Sequence, residues 1–326
     1  MNRTFSPREG EPVGKRWAHA LQAVLGVFLL LSFGFIAHYY YPAAPTEDLQ
    51  LQVRELSHQV QQLEQEQAMP AMVLNRYRNS ICYIFGIYRI GFAGQSPLLR
   101  ARISGSGFVV ADGLLATNRH VAQPWYGDTD SGNLIEKGAT PQLEKLLAFF
   151  PGFSTPVTIT PLTWSAEGDL AVLQVEATPG VHRLEALPLA ESTPPPGELV
   201  AVIGYPMGVL GMVAKSPPAV YERLAFRHDD QGSANELAAL SLIRPSATYG
   251  HLGDVVGDKL IYDAPTAHGG SGGPVFNSHG EVIGVNEAYI DGFSGGTLGI
   301  SVQALRPLIA AARKKRARAP EAPPSK

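Results

Sequence analysis

The chain has 326 residues, enough for one large domain or two small ones. A hydrophobic content of 45% and an aromatic content of 9% are those of a folded protein and argue against a wholly disordered one. A formal net charge of −3 argues against a nucleic-acid partner, which calls for a broad basic face.

Residues 1–16 carry Arg3, Arg8, Lys15 and Arg16 and are expected to stay cytoplasmic. Residues 17–41 read as a transmembrane signal anchor. The stretch ALQAVLGVFLLLSFGFIA, residues 20–37, is apolar apart from Gln22 and Ser32. As a helix it rises about 27 Å, enough to cross most of a bilayer's hydrocarbon layer. Trp17 at one end and Tyr39, Tyr40 and Tyr41 at the other suit the two interfaces. A cleaved signal peptide would have a shorter apolar core, and the nearest small pair, Ala43-Ala44, precedes Pro45, a poor cleavage context. The expectation is an uncleaved membrane anchor.

Residues 46–70 read as a coiled-coil-like stalk. Leu49, Val53, Leu56, Val60 and Leu63 alternate four and three residues apart among Glu and Gln. Little more than two heptads serve an oligomerising coil or a solvated spacer equally well, and Pro70 is expected to end the helix.

Residues 74–308 change texture to short runs rich in Val, Ile, Phe and Tyr, punctuated by Gly and Pro: an all-β pattern of barrel or sandwich. Cys82, the single cysteine, lies in the apolar run ICYIFGI; it has no intrachain disulfide partner and reads as a buried small hydrophobe. Two stretches break the pattern and read as surface insertions: 124–160, with the helix-like PQLEKLLAFF, and 207–247, with ANELAALSLI. STPPPGE, residues 192–198, is a natural joint between two halves. The basic, proline-rich end, 313–326, is expected to be a disordered tail.

The chemistry centres on TAHGGSGGPVF, residues 266–276, with a serine among glycines. A flexible linker does not fit, because strand-like segments flank it and no domain's worth of chain lies beyond. A nucleophile elbow does not fit either: two glycines, Pro274 and a strand follow Ser271 where that motif needs a helix. A backbone cradle for an oxyanion fits, since the amides of Gly269 and Ser271 can converge if the intervening residue turns freely. A serine hydroxyl needs a base to take its proton. GFVVADGLLATNRHVAQ supplies His120 just past a hairpin-like strand pair, and SAEGDLAVLQVE supplies Asp169 at the mouth of a strand. The chain order His, Asp, Ser is that of the chymotrypsin triad. The scattered histidines lack metal-ligand spacing, so no metal or cofactor is expected.

GSGFVV…TNRHV, GDLAVLQV, VAVIGYPMG, YDAPTAHGGSGGPVFNSHGEVIGVNEA and GGTLGISV together resemble a trypsin-like serine protease of the HtrA/Deg kind. The resemblance implies two six-stranded β-barrels, at about 78–190 and 197–305, with the active site between them. It implies His120 as general base, Asp169 orienting it, Ser271 as nucleophile, and an oxyanion hole at Gly269, Gly270 and Ser271. Gly270 stands where the family usually has asparagine. The position six before Ser271 is Pro265, which argues against a Lys/Arg preference, and Asn286, Glu287 and Ala288 are expected to line the substrate pocket. The implied partners are polypeptide substrates and further copies of the chain, a homotrimer being common in the family. The implied place is the bacterial inner membrane with the protease domain facing the periplasm, and no PDZ-like segment is expected after the protease domain. A silent protease-fold scaffold and a serine esterase are the rival readings.

Overall fold

The computed structural model describes residues 13–40, 47–289 and 296–318. Most of the expected cytoplasmic segment, Tyr41 and the final eight residues lie outside that set. The described chain begins with helix α1 (Val13–Tyr40), followed by α2 (Glu47–Tyr77). Within α1, Leu21–Tyr40 has a mean hydropathy of 2.0 with none of it buried, long and apolar enough to cross a membrane. Residues 1–63 form one compact unit and residues 64–326 another.

The heptad residues Leu49, Val53, Leu56, Val60 and Leu63 are all exposed on α2. The expected stop at Pro70 is corrected: α2 runs through Pro70 to Tyr77. Proline removes a helical N–H and crowds the preceding turn. Here Met69, Val73 and Tyr77, four residues apart on one face, are 1%, 0% and 5% exposed, and Tyr77 stacks on Phe276 at 5.6 Å. Burial of that face offsets the proline's cost.

The second unit continues as β1 (Ile81–Gly91), β2 (Leu99–Ala111), β3 (Leu114–Thr117), α3 (Arg119–Ala122), α4 (Thr129–Glu136), β4 (Thr140–Phe149), β5 (Val157–Trp164) and β6 (Ala171–Val175). After the joint come β7 (Leu199–Gly204), α5 (Gly208–Ala214), α6 (Pro218–Leu224), α7 (Asp230–Ala239), β8 (Ser246–Val256), β9 (Lys259–Tyr262), β10 (Pro274–Phe276), β11 (Val282–Tyr289), β12 (Thr297–Ser301) and α8 (Val302–Arg318). The strands close into two six-stranded barrels, β1-β2-β3-β6-β5-β4 and β10-β11-β12-β9-β8-β7. Closure leaves no free sheet edge. Cys82, Ile84, Leu115 and Leu173 fill the first barrel, and Val200, Leu252, Leu260 and Ile283 the second. Burial pushes the Cys82 thiol far above its ordinary range, which makes it core rather than nucleophile.

PQLEKLLAFF is strand, not helix, and this is a second correction. Its leucines recur at helical spacing, but β4 is the strand that closes barrel one: it pairs antiparallel with β1 from Tyr83↔Phe149 to Gly91↔Thr140 and with β5 on its other side. Tertiary pairing overrides the local pattern. The break at 124–160 therefore holds only α4, its flanking turns and the turn between β4 and β5 outside the barrel strands. The stretch 207–247 is helical as expected, although the helix within ANELAALSLI stops at Ala239.

The tail supplies a third correction. Residues 313–318, expected to be disordered, belong to α8, whose Val302, Leu305, Ile309 and Ala312 are buried. The helix contacts β5 and β6 of barrel one and β11 of barrel two. Its basic side chains find main-chain acceptors: Arg306 donates to Ala190 O at 2.7 Å, Lys315 to Leu162 O at 2.9 Å, and Arg316 to Asp112 O.

Ser106 of β2 joins the barrels polar atom by polar atom. Its Oγ donates to Gly269 O at 2.7 Å and accepts from Tyr205 N at 2.9 Å, while its N donates to Ser271 O at 2.7 Å. Its own carbonyl accepts from Thr117 Oγ1 at 2.7 Å. Ser106 is 0% exposed, so Ser106→Ala strands two dry partners and is expected to lower unfolding free energy by about 1–3 kcal/mol in denaturant titration. Ser154→Ala, which removes an exposed hydroxyl from the turn between β4 and β5, is expected to stay within about 0.5 kcal/mol of wild type. Likewise, a fragment starting at Glu64 keeps Met69 in the core, whereas one starting at Met72 loses it; the shorter fragment is expected to be less stable by about 2 kcal/mol or more.

Candidate active site

The register of barrel one sets two of the expected residues side by side. In the β3–β6 ladder Thr117 faces Ala171, so the residues just after β3 and just before β6 emerge at the same end. His120 follows β3 in the short helix α3, and Asp169 precedes β6. Asp169 Oδ1 accepts His120 N at 2.8 Å, and its Oδ2 lies 2.5 Å from His120 Nδ1. Asn118 Nδ2 donates to Asp169 O at 2.8 Å, and Arg119 reaches Ser165 O at 2.9 Å while its guanidinium lies 4.0 Å from the Tyr126 ring centroid. Gly168 N closes on Ser165 Oγ at 3.0 Å. The loop holding the carboxylate is therefore braced at both ends, and the side chains of His120 and Asp169 are 32% and 12% exposed. With Oδ2 beside Nδ1, the ring is oriented and its Nε2 is left for other work.

Barrel two contributes the glycine loop, 267–273, between β9 and β10. Gly269 has φ +89°, and a side chain there would meet Tyr205 O at 2.6 Å and Gly208 N at 2.8 Å. Gly272 has φ +88°, and its Cβ would strike Ser106 O at 2.1 Å and Thr117 Oγ1 at 2.2 Å. Only glycine meets both demands. Around it the loop is fastened by Gly270 N to Ala267 O at 2.9 Å, Gly272 N to Asn286 O at 2.8 Å, and Asn286 N to Gly273 O at 2.8 Å. The amides of Gly269 and Ser271 donate to no other group among the described residues.

The Ser271 hydroxyl is half-buried and donates to Glu287 O at 2.8 Å. It makes no hydrogen bond to His120 among the described residues, so the nucleophile and base expected from the sequence are not joined in this conformation. The loop and the His120–Asp169 pair are tied through Ser106 and Thr117 instead.

A cleft of about 700 Å³ opens beside His120 and Asp169, lined also by Ser165, Lys259, Glu287 and Ile300. Of the four residues expected in the substrate pocket, Glu287 lines it. Pro265 is exposed and does not. Asn286 is 0% exposed, with Oδ1 accepting from Tyr262 Oη at 2.8 Å and Nδ2 donating to Thr266 Oγ1 at 3.1 Å. Its side chain braces the glycine loop from below rather than meeting the cleft. The side chain of Ala288 lies outside the described residues. His268 is exposed, and its carbonyl accepts Met207 N at 2.6 Å. Burial first, and the Asp169 carboxylate second, push the Glu287 carboxyl above the ordinary glutamate range, while His120 and Lys259 pull the other way. No group of three or more His, Cys, Asp or Glu among the described residues could hold a metal ion.

Sequence reasoning missed Ser106, the residue that connects the halves of this site. Its signal was present in Gly105-Ser106-Gly107, where two small neighbours permit close approach on both sides: a Cβ at either glycine would lie within 3 Å of Val121 or Leu115.

Residues 105–285, more than half of the chain, match the family described as the trypsin-like peptidase domain. A probable periplasmic serine endoprotease, DegP-like, of Rhizobium meliloti is 29% identical over 205 residues, covering 62% of this chain and 31% of its own length. Serine protease PepD of Mycobacterium tuberculosis is 28% identical over 198 residues, covering 60% and 35%. The chain thus spans about a third of the length of the curated relatives it matches. A crystal structure of the serine endoprotease from Yersinia pestis aligns at 19% identity and a TM-score of 0.48, covering 75% of this chain and 66% of that one. With two closed six-stranded barrels and a family match that embraces His120, Asp169 and Ser271, the chain belongs to the trypsin-like peptidase family and within it resembles the HtrA/Deg kind.

Proposed function

We propose that this chain is a serine endopeptidase that cleaves polypeptides through an acyl-enzyme on Ser271. The observation that carries the reading is the 2.5 Å contact between His120 Nδ1 and Asp169 Oδ2 at the wall of the cleft, together with the unengaged amides of Gly269 and Ser271 on the glycine loop that Ser106 ties to barrel one. Asp169 accepts a hydrogen bond from Nδ1–H, which holds the tautomer that leaves the Nε2 lone pair for the base role. Rotation about the Ser271 side chain exchanges Glu287 O for His120 Nε2. Oγ then attacks the substrate carbonyl as its proton passes to Nε2, and the oxyanion forms where the Gly269 and Ser271 amides converge. Each such donor lowers the barrier by about 2.7–4 kcal/mol. Collapse of the tetrahedral species expels the amine, which takes the proton from Nε2. Water repeats the sequence in reverse roles to free Ser271 and the carboxylic acid product. Gly270 contributes conformational freedom, and no step calls for a metal or cofactor.

The apolar helix α1 and the periplasmic relatives support a single-pass anchor in a bacterial inner membrane, with the barrels on the periplasmic side. The exposed heptad face of α2 supports a stalk between them. One observation favours a second reading, a silent protease-fold scaffold: the Ser271 hydroxyl rests on Glu287 O rather than on the base.

A fluorophosphonate probe applied to the full chain in detergent separates the two. Wild type is expected to be labelled and Ser271→Ala not, while His120→Ala and Asp169→Asn slow labelling by about three to four orders of magnitude. Wild type and Ser271→Ala labelling equally little overturns the peptidase reading. Labelling of wild type with turnover of small esters but no cleavage of any polypeptide favours an esterase.

A further inference from the structure

Three consecutive residues, Asn118, Arg119 and His120, each grip the tip of the β5–β6 hairpin, residues 165–170, which lies beyond the paired residues Trp164 and Ala171. Asn118 Nδ2 donates to Asp169 O at 2.8 Å, and His120 meets the Asp169 carboxylate through its amide and its ring. Both of those contacts fall on the β6 arm of the tip. Arg119 alone of the three reaches the β5 arm, where its Nη1 donates to Ser165 O at 2.9 Å. Ser165 is also where the tip closes on itself: its N donates to Leu170 O at 2.9 Å, and its Oγ accepts Gly168 N at 3.0 Å. The guanidinium is held in turn. Its Nε donates to Gln123 Oε1 at 2.9 Å, and its central carbon lies 4.0 Å from the Tyr126 ring centroid and 6.0 Å from that of Trp164. A planar fork with directed N–H bonds and ring contact is fixed in a way that an ammonium on a flexible stem is not. Tyr126 and Ser165 line the cleft, whereas Arg119 does not.

We infer that Arg119 is a positioning residue for the His120–Asp169 pair, fixing the β5 arm of the hairpin tip to the same short helix that carries His120. This inference rests on the peptidase reading and adds to it a residue that touches neither substrate nor the reacting atoms. The reasoning is mechanical. A hairpin tip gripped on one arm is free to twist about its own length, and that twist would swing the Asp169 carboxylate past the imidazole. A grip on both arms stops it. The contact at stake is short and directional, so a small swing weakens it steeply. Misplacement of a reacting group by about an ångström costs on the order of a hundredfold in rate. Asn118 and the His120 amide still hold Asp169 when Arg119 is lost, so the effect of losing it is smaller than that.

Arg119→Lys keeps the charge and loses the fork; Arg119→Met loses both. In the full chain in detergent, each is expected to slow fluorophosphonate labelling of Ser271 about tenfold, a small probe reporting on base and nucleophile without the peptide-binding wall. A wild-type rate in Arg119→Lys overturns the proposal, because charge alone would then suffice. A role in general stability would slow labelling by the same factor in any background. A positioning role acts through Asp169, so in Asp169→Asn the further change Arg119→Lys is expected to alter the rate by less than about twofold. An additive tenfold loss there overturns the proposal. A readout independent of turnover is the His120 Nδ1–H proton in NMR of the chain with isotope-labelled histidine, assigned by its absence from His120→Ala. It is expected far downfield in wild type and shifted upfield or broadened in Arg119→Lys. Its absence from wild type, or an unmoved signal in the variant, overturns the proposal. Should neither Arg119 variant fold, Gln123→Leu removes only the Nε acceptor and is expected to slow labelling about threefold with the same movement of the proton signal; no change in either overturns it. If the proton signal moves but wild type fails to label, the positioning role stands and the peptidase reading falls. Labelling with an unmoved signal gives the converse.

Discussion

Everything in the candidate site depends on two barrels holding one relative position without a disulfide between them. Apolar packing supplies most of the energy: residues from both barrels, α2 and α8 form a single buried cluster, including Met69, Tyr77, Phe108, Ile203, Tyr205, Phe276 and Leu305. Hydrophobic burial is non-directional, however, and leaves the barrels free to slide at little cost. Ser106 supplies the direction. Its hydroxyl, amide and carbonyl contact Gly269, Tyr205, Ser271 and Thr117, so β2, β3 and the glycine loop are registered to one another by groups that no water can replace. A shift of the barrels by one ångström would break several of these bonds together.

The same seam explains why the glycine loop cannot carry side chains. Gly272 passes against Ser106 and Thr117, and Gly269 against Tyr205 and Gly208, each at positive φ. The close approach brings the Ser271 main chain to barrel one, while the Gly269 and Ser271 amides find no acceptor among the described residues. A buried amide without a partner is costly in most of a protein. Under the proposed peptidase reading that cost is the counterpart of a donor pair held ready for charge that develops nearby.

Much of this was legible in the sequence where local rules govern. His120, Asp169 and Ser271 each follow or precede a strand and sit in recognisable turns, and the β3–β6 register turns that local fact into a spatial one. What failed were the places where tertiary contact overrules the local pattern. PQLEKLLAFF has leucines at helical spacing, yet its strand is the one that closes barrel one. Pro70 is a breaker in an isolated helix, yet Met69, Val73 and Tyr77 hold α2 together across it. The basic end of α8 reads as disordered, yet Lys315 and Arg316 find carbonyls that only the folded barrel presents. Ser106 escaped notice because a serine between glycines has many uses, and its partners lie 99 and 163 residues away in the chain. Asn286 misled in the opposite sense, since its position beside the cleft does not disclose that its side chain turns inward to Tyr262.

The resting position of the Ser271 hydroxyl follows from the same geometry. Its acceptor, Glu287 O, belongs to the strand whose neighbour Asn286 clamps the loop, so the alternative partner is as rigid as the loop itself. One neutral hydrogen bond of this kind contributes about 1 kcal/mol net, within a few multiples of thermal energy. Exchanging that acceptor for another therefore costs little in itself. Under the proposed peptidase reading, a substrate that brings its own amide to Glu287 O would compete for that carbonyl and release the hydroxyl. The barrels and their seam hold the framework still, so the Ser271 hydroxyl rests on one weak bond to a rigid strand.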